Sequence, residues 1–255
     1  MLRKRQQVPE DDPRLLVRSY AVTHPVDVGL STRAYAEWDQ LAYATRGVMT
    51  VTTAHGTWVV PPHRAVWIPA GVPHGVRMSG RVSLRTLFFR AGRFRRKLPR
   101  ACVAVNVPPL LRELVVHAAR ASTLRADVPS EKRLADVILD QLEALDAEPL
   151  QLPMPRDARA RALAERLAKD PSLPVSRALR AVGASRRTLE RVFARETQMT
   201  LGRFVQRLRL VEALRLLASG RAVTAVALDV GYASPSAFVA AFRRVLGTTP
   251  GRYFG

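Results

Sequence analysis

Two segments near the C-terminus share one pattern, and this pattern restricts the folds open to the chain more than any other feature. They read LRAVGASRRTLERVFARE at residues 179–196 and ALDVGYASPSAFVAAFRR at residues 227–244. In each segment an apolar helical stretch runs into a glycine, Gly183 or Gly231. Glycine readily adopts the left-handed conformation that ends a helix. The pattern therefore predicts two helices that each stop at a tight turn.

The residues after each glycine predict a second helix. Ser185 follows the first glycine after two residues and Ser234 follows the second after three, and serine is a favourable N-cap. Pro235 then occupies the first helical position, where its missing N–H costs nothing. Apolar residues recur at helical spacing beyond the caps: Leu189, Val192, Phe193, Phe238, Ala241 and Phe242. Helix, glycine turn and capped helix together make the helix-turn-helix plan.

A single long helix is predicted between the two units. The segment TLGRFVQRLRLVEALRLLASG spans residues 200–220. Its apolar residues share one helical face: Leu201, Phe204, Val205, Leu208, Val211 and Leu214. Such a rod would hold the two units at a fixed separation.

The first half of the chain has a different pattern, with short strands broken by glycine and proline over residues 41–89. The strand segments are LAYAT, GVMTVTT, TWVV, AVWIP, GVRM and VSLRTLFF, with turn signals at Gly47, His55-Gly56, Pro61-Pro62, Pro69 to Pro73 and Ser79-Gly80. This spacing predicts an antiparallel sandwich or barrel, placed at about residues 20–100.

Two helices and a linker are predicted to follow the strands. The helices, at about residues 108–146, carry two apolar stripes separated by the polar segment 122–130: Leu110, Leu111, Leu114, Val115 and Ala118, then Leu134, Val137, Ile138, Leu142 and Leu145. Three prolines in AEPLQLPMP, residues 147–155, are typical of a linker between domains. We therefore predict a domain at 1–146, a linker at 147–156 and an all-helical domain at 157–255.

Charge and composition narrow the function classes. The net charge is +20, and residues 151–255 alone hold 19 Lys and Arg against 7 Asp and Glu, which favours a polyanion partner such as DNA. Cys102 is the single cysteine, which excludes an internal disulfide and a cysteine-based zinc cluster. The N-terminus has no apolar signal stretch and no apolar run approaches the roughly 18 residues of a membrane span, so a cytoplasmic protein with no membrane partner is expected.

The C-terminal pattern closely resembles the DNA-binding domain of AraC/XylS-type transcriptional regulators over about residues 157–254. The run VTAVALDVGYASPSAFVAAFRRVLGTTPGRYF, residues 223–254, carries the most characteristic motif. Its matching positions are Ala227, Gly231, Tyr232, Ser234, Phe238, Phe242, Arg243, Arg244, Gly247, Pro250 and Tyr253. In the first unit, Leu179 departs from the small residue that is usual four positions before the glycine, which implies a looser helix crossing there. The N-terminal segment QLAYATRGVMTVTTAHGTWVVPPHRAVWIPAGVPHGV resembles the cupin-like effector domain of many such regulators.

The resemblance implies that the second helix of each unit enters a major groove of double-stranded DNA. The base-contacting positions are Arg187, Glu190 and Arg191, with Arg186 beside them, in the first unit, and Ser236, Ala237, Val239 and Ala240 in the second. Arginine bonds guanine bidentately and glutamate accepts from cytosine, whereas the small side chains offer one hydroxyl and contacts to a thymine methyl. We therefore expect the first unit to read most of the sequence and the second mainly to anchor the backbone. The backbone contacts are assigned to Ser185, Ser234, Arg243 and Arg244.

The turn from Pro69 to His74 has the form P-x-G-x-x-H, which resembles a cupin signature whose histidine commonly binds a metal. Metal-binding cupins add a His-x-His pair and a Glu, but those places fall near Ala34, Ala36 and Gln40. A metal needs three or four converging donors, so we expect no metal, no cofactor and no catalytic residue. A non-standard site that uses Glu37, His24, His55 and His63 is the alternative.

A pocket for a small-molecule effector is expected instead, lined by Trp38, Tyr43, Trp67 and His74 with Arg46 as anion partner. An occupied pocket would bias the arrangement of the linker and the DNA-binding units.

Three functions follow from these observations. The leading one is a bacterial, ligand-responsive, sequence-specific transcriptional regulator without enzymatic activity, which contacts RNA polymerase if it activates and forms a homodimer through the helices at 110–121 and 131–146. The second is a metal-dependent cupin oxygenase or isomerase fused to a DNA-binding domain. The third is a constitutive architectural DNA binder whose barrel serves only oligomerisation.

Overall fold

The computed structural model describes residues 12–25, 28–54, 56–94, 99–143 and 152–254. The strands are β1 (Leu15–His24), β2 (Gly29–Arg33), β3 (Trp38–Thr53), β4 (Gly56–Val60), β5 (Arg64–Ile68), β6 (His74–Arg90), β7 (Val103–Asn106) and β8 (Thr123–Arg125). The helices are α1 (Pro109–Ala121), α2 (Pro129–Glu143), α3 (Ala158–Lys169), α4 (Val175–Arg180), α5 (Arg186–Thr197), α6 (Leu201–Ala218), α7 (Val223–Asp229), α8 (Pro235–Leu246) and α9 (Pro250–Phe254). His55, the end of the second predicted helix at 144–146 and residues 147–151 of the predicted linker lie outside the described residues.

The first part of the chain is built on one antiparallel sheet. Its strand order is β7-β5-β3-β6-β1-β8, while β2 pairs with β6 and β4 pairs with β3. Strands β3 and β6 are 16 and 17 residues long and form the central pair. Their register runs from Trp38↔Arg90 to Thr53↔His74. Most of the sheet is therefore organised around two long strands.

Gly47 and Gly80 lie inside these strands, so the turns predicted at them were wrong. Register shifts flank Arg46 in the β3–β6 pair, which marks a bulge rather than a chain reversal. Gly47 has φ +79°, and a Cβ there would lie 2.6 Å from the backbone oxygen of Arg81. A local sequence signal cannot separate a bulge from a turn, because the difference depends on the partner strand.

Alternate residues of β3 face two different cores, as the two-residue period of a strand requires. Leu41 and Tyr43 join a cluster that includes Leu111 of α1 and Ile138 of α2. Ala42 and Ala44 join a separate cluster within the sheet, with Met49, Val51, Trp58, Val66, Ile68 and Met78. Helices α1 and α2 therefore cover one face of the sheet.

The second part of the chain is helical, and α6 joins two small cores. Its first half supplies Leu201, Phe204 and Leu208 to a core with α3 and α5. Its second half supplies Leu210 and Leu214 to a core with α7, α8 and α9. At 1.5 Å per residue, its 18 residues extend over roughly 27 Å. We call α3 to α5 the first unit and α7 to α9 the second unit.

The predicted glycine turns and serine caps are confirmed. Gly183 and Gly231 have φ +62° and +86°. Ser185 accepts a hydrogen bond from the backbone N–H of Thr188, and Ser234 accepts one from that of Ala237. These caps satisfy N–H groups that a helix start leaves without partners. In the described part of the chain, no helix has the length and apolar character needed to cross a membrane.

Candidate nucleic-acid interface

Helix α5 presents a charged face to solvent. Arg186, Arg187, Glu190 and Arg191 are all exposed, while Leu189, Val192 and Phe193 are buried on the opposite side. The ring of Phe193 packs edge-on against Phe204 of α6, with centroids 5.0 Å apart. The charged face is therefore held on a rigid base, and its side chains remain accessible to a partner.

One pair on this face is already joined. The Nε of Arg186 donates to Oε1 of Glu190 at 2.8 Å, with both side chains largely exposed. An exposed pair at this i,i+4 spacing contributes only about 0.3–0.5 kcal/mol. Base edges that offer equivalent hydrogen bonds can therefore replace it at small cost.

Helix α8 presents a less polar face. Ser236, Ala237 and Ala240 are exposed and Val239 is half-buried. Together with Pro235, Arg243, Arg244 and Thr249, three of them (Ser236, Val239 and Ala240) line an open depression of about 780 Å³. The two arginines at its rim are exposed. This face combines small side chains with positive charge at one edge.

Arg209 of α6 joins the two units. Its Nε donates to the backbone oxygen of Pro171, in the loop after α3, at 3.1 Å. Its guanidinium also lies 5.9 Å from the ring centroid of Tyr232, in the turn of the second unit. Burial raises the pKa of the Tyr232 hydroxyl, so the ring stays neutral beside the cation. One side chain therefore links the loop after α3 to the turn of the second unit.

Glu196, at the end of α5, holds the start of the helical domain. Its carboxylate accepts hydrogen bonds from the backbone N–H groups of Arg156 and Asp157 at 2.7 and 3.0 Å. The hydrogen bond from Arg195 and these two backbone bonds lower the pKa of Glu196 to about 2. Asp157 in turn caps α3 through the N–H groups of Arg159 and Ala160. Glu196 is not among the residues predicted from the sequence, and no local pattern marks it.

The sheet packs directly on the second unit. Val48 of β3 and Val59 of β4 are buried in the core that holds Leu214, Phe242 and Tyr253. The hydroxyl of Tyr253 donates to the backbone oxygen of Pro62. The same ring meets that of His63 edge-on, with centroids 5.3 Å apart. Tyr253 therefore belongs to the interface between the two domains as well as to its own helix.

A second contact lies where α6 ends against β6. Gly80 has φ +71°, and a Cβ there would lie 2.2 Å from the backbone oxygen of Ala218. The Nε of Arg215 donates to Oγ of Ser79 at 3.4 Å. The backbone N–H of Leu152 also donates to the oxygen of Thr57 at 3.3 Å. The two domains thus meet through closely fitting backbone segments.

The five residues predicted to line an effector pocket do not share one site. Trp38 packs with Leu15, Phe88 and Tyr35, and Tyr35 lies 6.0 Å from the ring of His74. Tyr43 and Trp67 are buried in the cluster under α1 and α2 instead: Leu41, Leu87, Phe89, Leu111, Val115 and Ile138. Arg46 is exposed at the bulge of β3. Trp38 and His74 therefore lie on one side of the sheet, and Tyr43 and Trp67 on the other.

Arg18 and Arg90 both lie beside Trp38, and Arg18 is the nearer of the two. Its guanidinium carbon is 4.5 Å from the ring centroid of Trp38, 5.1 Å from that of Phe88 and 5.7 Å from that of Tyr35. Arg18 pairs with Phe88 across β1 and β6. Gln40 is buried on β3, also opposite Phe88. Its Oε1 accepts no hydrogen bond from the described residues.

The residues considered for a metal are scattered. Ala34 and Ala36 lie exposed ahead of β3. The Nδ1 of His74 makes a hydrogen bond with the backbone oxygen of Val72 at 2.9 Å. His63 faces Tyr253 at the domain interface, and desolvation lowers the pKa of its imidazole. Among the residues the structure describes, no three His, Cys, Asp or Glu side chains converge as a metal site would require.

Comparisons with known proteins identify the family. Residues 178–255 match the helix-turn-helix domain family, and residues 32–127 match the AraC-like ligand binding domain family. The HTH-type transcriptional regulator NimR of Escherichia coli K12 is 34% identical over 216 residues, which cover 84% of this chain and 78% of NimR. The chain belongs to the AraC/XylS family of transcriptional regulators.

Two further comparisons give a partial sequence match and a structural alignment. The regulatory protein SoxS of Salmonella typhimurium is 38% identical over 72 residues, which cover 28% of this chain and 67% of SoxS. A crystal structure of ToxT from Vibrio cholerae with a bound unsaturated fatty acid aligns over 97% of both chains, at 11% identity and a TM-score of 0.37. NimR and SoxS are both named as regulatory proteins.

The family matches correspond to the two parts of the fold. The ligand-binding match runs from β2 to just before α2, and the helix-turn-helix match runs from α4 to the C-terminus. Helix α3 lies ahead of the second match, yet its residues Ala160, Leu163 and Leu167 are fully buried in the first unit. In this AraC/XylS member, the first unit therefore needs α3 to complete its core.

Proposed function

We propose that this regulator reads DNA sequence mainly through α5 and uses α8 mainly to anchor the backbone, with each helix as the second helix of a helix-turn-helix unit. The observation that carries the proposal is the contrast between the two exposed faces. Helix α5 offers Arg186, Arg187, Glu190 and Arg191, whereas α8 offers Ser236, Ala237, Val239 and Ala240. Bidentate bonding to a base edge needs side chains of the first kind.

The backbone contacts follow from the capped helix starts. Ser185 and Ser234 lie where the N–H groups of α5 and α8 point outward, and such positions favour phosphate. Arg243 and Arg244 carry exposed positive charge at the edge of the α8 face. These groups set position and register on the duplex but carry no direct sequence information.

The sheet domain, whose detailed fold we take to be a cupin-like barrel, is the proposed sensor of a small molecule. The side of the sheet that carries Arg18, Trp38, Gln40 and His74 supports a site for a ligand with an aromatic or anionic group, because these side chains offer stacking, charge and an amide oxygen. Thermal stabilisation of the wild type by such compounds, absent in Arg18→Gln, is the direct test.

The domain interface is the proposed route from sensor to DNA. A ligand that prefers one arrangement of the sheet shifts the position of the segment around His63, which packs against the second unit, and of that around Gly80, which packs against the end of α6. Self-association through α1 and α2 is proposed as well, because Leu110 and Val137 are 58% and 41% exposed. The oligomeric state in solution tests this part.

Arg191→Ala is the sharpest test of the reading role. Selection of bound sites from random duplexes defines the wild-type preference, and affinities are then measured on that site and on its single-base variants. Loss of a bidentate arginine should weaken binding by about 1–3 kcal/mol and relax the preference at one base position. The exposed Arg166 of α3 provides the matched control, and Arg166→Ala should leave the preference unaltered.

Two results would count against the proposal. An equal loss for Arg191→Ala on all sequences would assign Arg191 to a phosphate instead of a base. A wild type that shows no preferred site after competition with bulk DNA would favour an architectural binder.

A further inference from the structure

A basic cleft lies between α6 and α8, next to the face of α8 assigned to DNA. Its volume is about 530 Å³. Arg203 and Arg207 of α6 and Arg244 of α8 line it, and Thr200, Gln206 and Tyr232 also belong to the lining. Arg203 and Arg207 lie four residues apart, on one side of the helix. The cleft therefore gathers three guanidinium groups from two helices that are distant in sequence.

The cleft lies close to both α5 and α8, the two helices proposed to contact DNA. Helix α6 begins four residues after α5 ends, so Arg203, in the first turn of α6, lies near the end of α5. Arg244 also lines the open depression on the exposed face of α8. The cleft thus extends from near the end of α5 to the side of α8.

Duplex geometry places a backbone segment at this position. Two helices that enter successive major grooves on the same side of DNA are separated by about one helical turn. Between these two major grooves the minor groove faces the protein, and the two backbone strands that border it present phosphates to whatever lies there. A guanidinium is suited to this contact, because its planar set of donors matches two phosphate oxygens.

We propose that this cleft binds phosphates of the DNA backbone that borders the minor groove between the two major grooves. Helix α6 is then a third DNA contact rather than only a spacer. The inference rests on the proposed function, because it assumes that α5 and α8 face the same duplex. It assigns a DNA-backbone role to Arg203 and Arg207. Their contacts to phosphate carry no sequence information.

The test uses the full chain with Arg203→Gln and Arg207→Gln combined. Each phosphate contact contributes roughly 0.9 to the slope of log affinity against log salt concentration. The variant should therefore lower that slope by about 1 to 2 and weaken binding several-fold, equally on the selected site and on unrelated duplexes. The base preferences found by selection should not change.

Two further variants keep the result interpretable. Arg77→Gln with Arg120→Gln removes the same charge from exposed positions on β6 and at the end of α1, and it should keep the wild-type slope. The combined variant Arg203→Lys and Arg207→Lys keeps the charge, so it should retain most of the wild-type slope of log affinity against log salt concentration. It remains informative if the Gln variant folds poorly.

The outcomes separate this inference from the proposed function. A wild type with a clear preferred site and a Gln variant with an unchanged slope would overturn the phosphate site alone. An equal reduction in slope for the Arg77 and Arg120 variant would also overturn it, because net charge would then explain the effect. A wild type without sequence preference, together with a reduced slope in the Gln variant, would retain the site and reject the reading role of α5.

Discussion

At the scale of single residues, Gly183 and Gly231 occupy corresponding turns in different surroundings. Both have positive φ, so alanine at either position adopts a strained left-handed conformation that costs roughly 1 kcal/mol. A Cβ at Gly183 would meet no atom within 4 Å, whereas one at Gly231 would lie 2.9 Å from Cα of Ser172 and from Nη2 of Arg209. Two turns that look alike in sequence therefore tolerate substitution differently.

Gly231→Ala should accordingly cost more than Gly183→Ala. We expect a loss of about 1 kcal/mol in the free energy of unfolding for Gly183→Ala and about 2–4 kcal/mol for Gly231→Ala, since overpacking adds to the strain. Denaturant unfolding of both variants measures the difference. Equal losses would mean that the loop at Ser172 moves aside without cost.

At the scale of elements, the carboxylate of Glu196 joins the start of α3 to the end of α5. Its pKa of about 2 lies below the ordinary value of 4.5, because Arg195 and two backbone N–H groups bind the charged form. A lowered folded pKa means that the stabilisation is fully present above about pH 4.5. It is lost as the pH falls from there toward 2.

Glu196→Gln should remove this part of the pH dependence. We expect the variant to be less stable than the wild type at pH 6 and the difference to shrink as the pH falls from about 4.5 to 2. Thermal unfolding across that range measures it. Glu165→Gln removes an exposed carboxylate that pairs with Arg161 on α3, and it is the charge-matched control. The same pH response in both variants would refute a special role for Glu196.

At the scale of the whole molecule, the two domains meet where Gly80 abuts the end of α6. A Cβ at Gly80 would lie 2.2 Å from the backbone oxygen of Ala218, which no side-chain rotation can relieve. Gly71 has a similar φ of +77°, but a Cβ there would have no atom within 4 Å. Alanine at Gly71 therefore introduces backbone strain alone, whereas alanine at Gly80 also disturbs the contact between the domains.

Gly80→Ala should therefore loosen the interface, and Gly71→Ala should not. Hydrogen exchange followed by mass spectrometry is the measurement, with faster exchange expected at residues 213–219 and 60–64 in Gly80→Ala alone. Unchanged exchange in these segments would show that the sheet and α6 adapt without separating. If the interface carries the effector signal, Gly80→Ala should also alter DNA affinity.

Local chemistry made much of the helical domain predictable. The glycine turns, the serine caps and the long helix α6 depend on residues close in sequence, and the structure contains all of them. The pocket residues could not be predicted in the same way. Whether Trp38 or Trp67 faces one side of the sheet depends on strand register, and a shift of one residue moves a side chain to the other face.

The sequence by itself determined the family, the order of the two parts, the charged face of α5 and the small-residue face of α8, because these follow from short-range patterns and from matching motifs. The tertiary structure alone decided which groups meet across long separations. Arg209 meets Pro171 and Tyr232, Tyr253 meets Pro62, and Gly80 meets Ala218. Each contact joins segments whose proximity arises only when the cores close, so no local pattern encodes it.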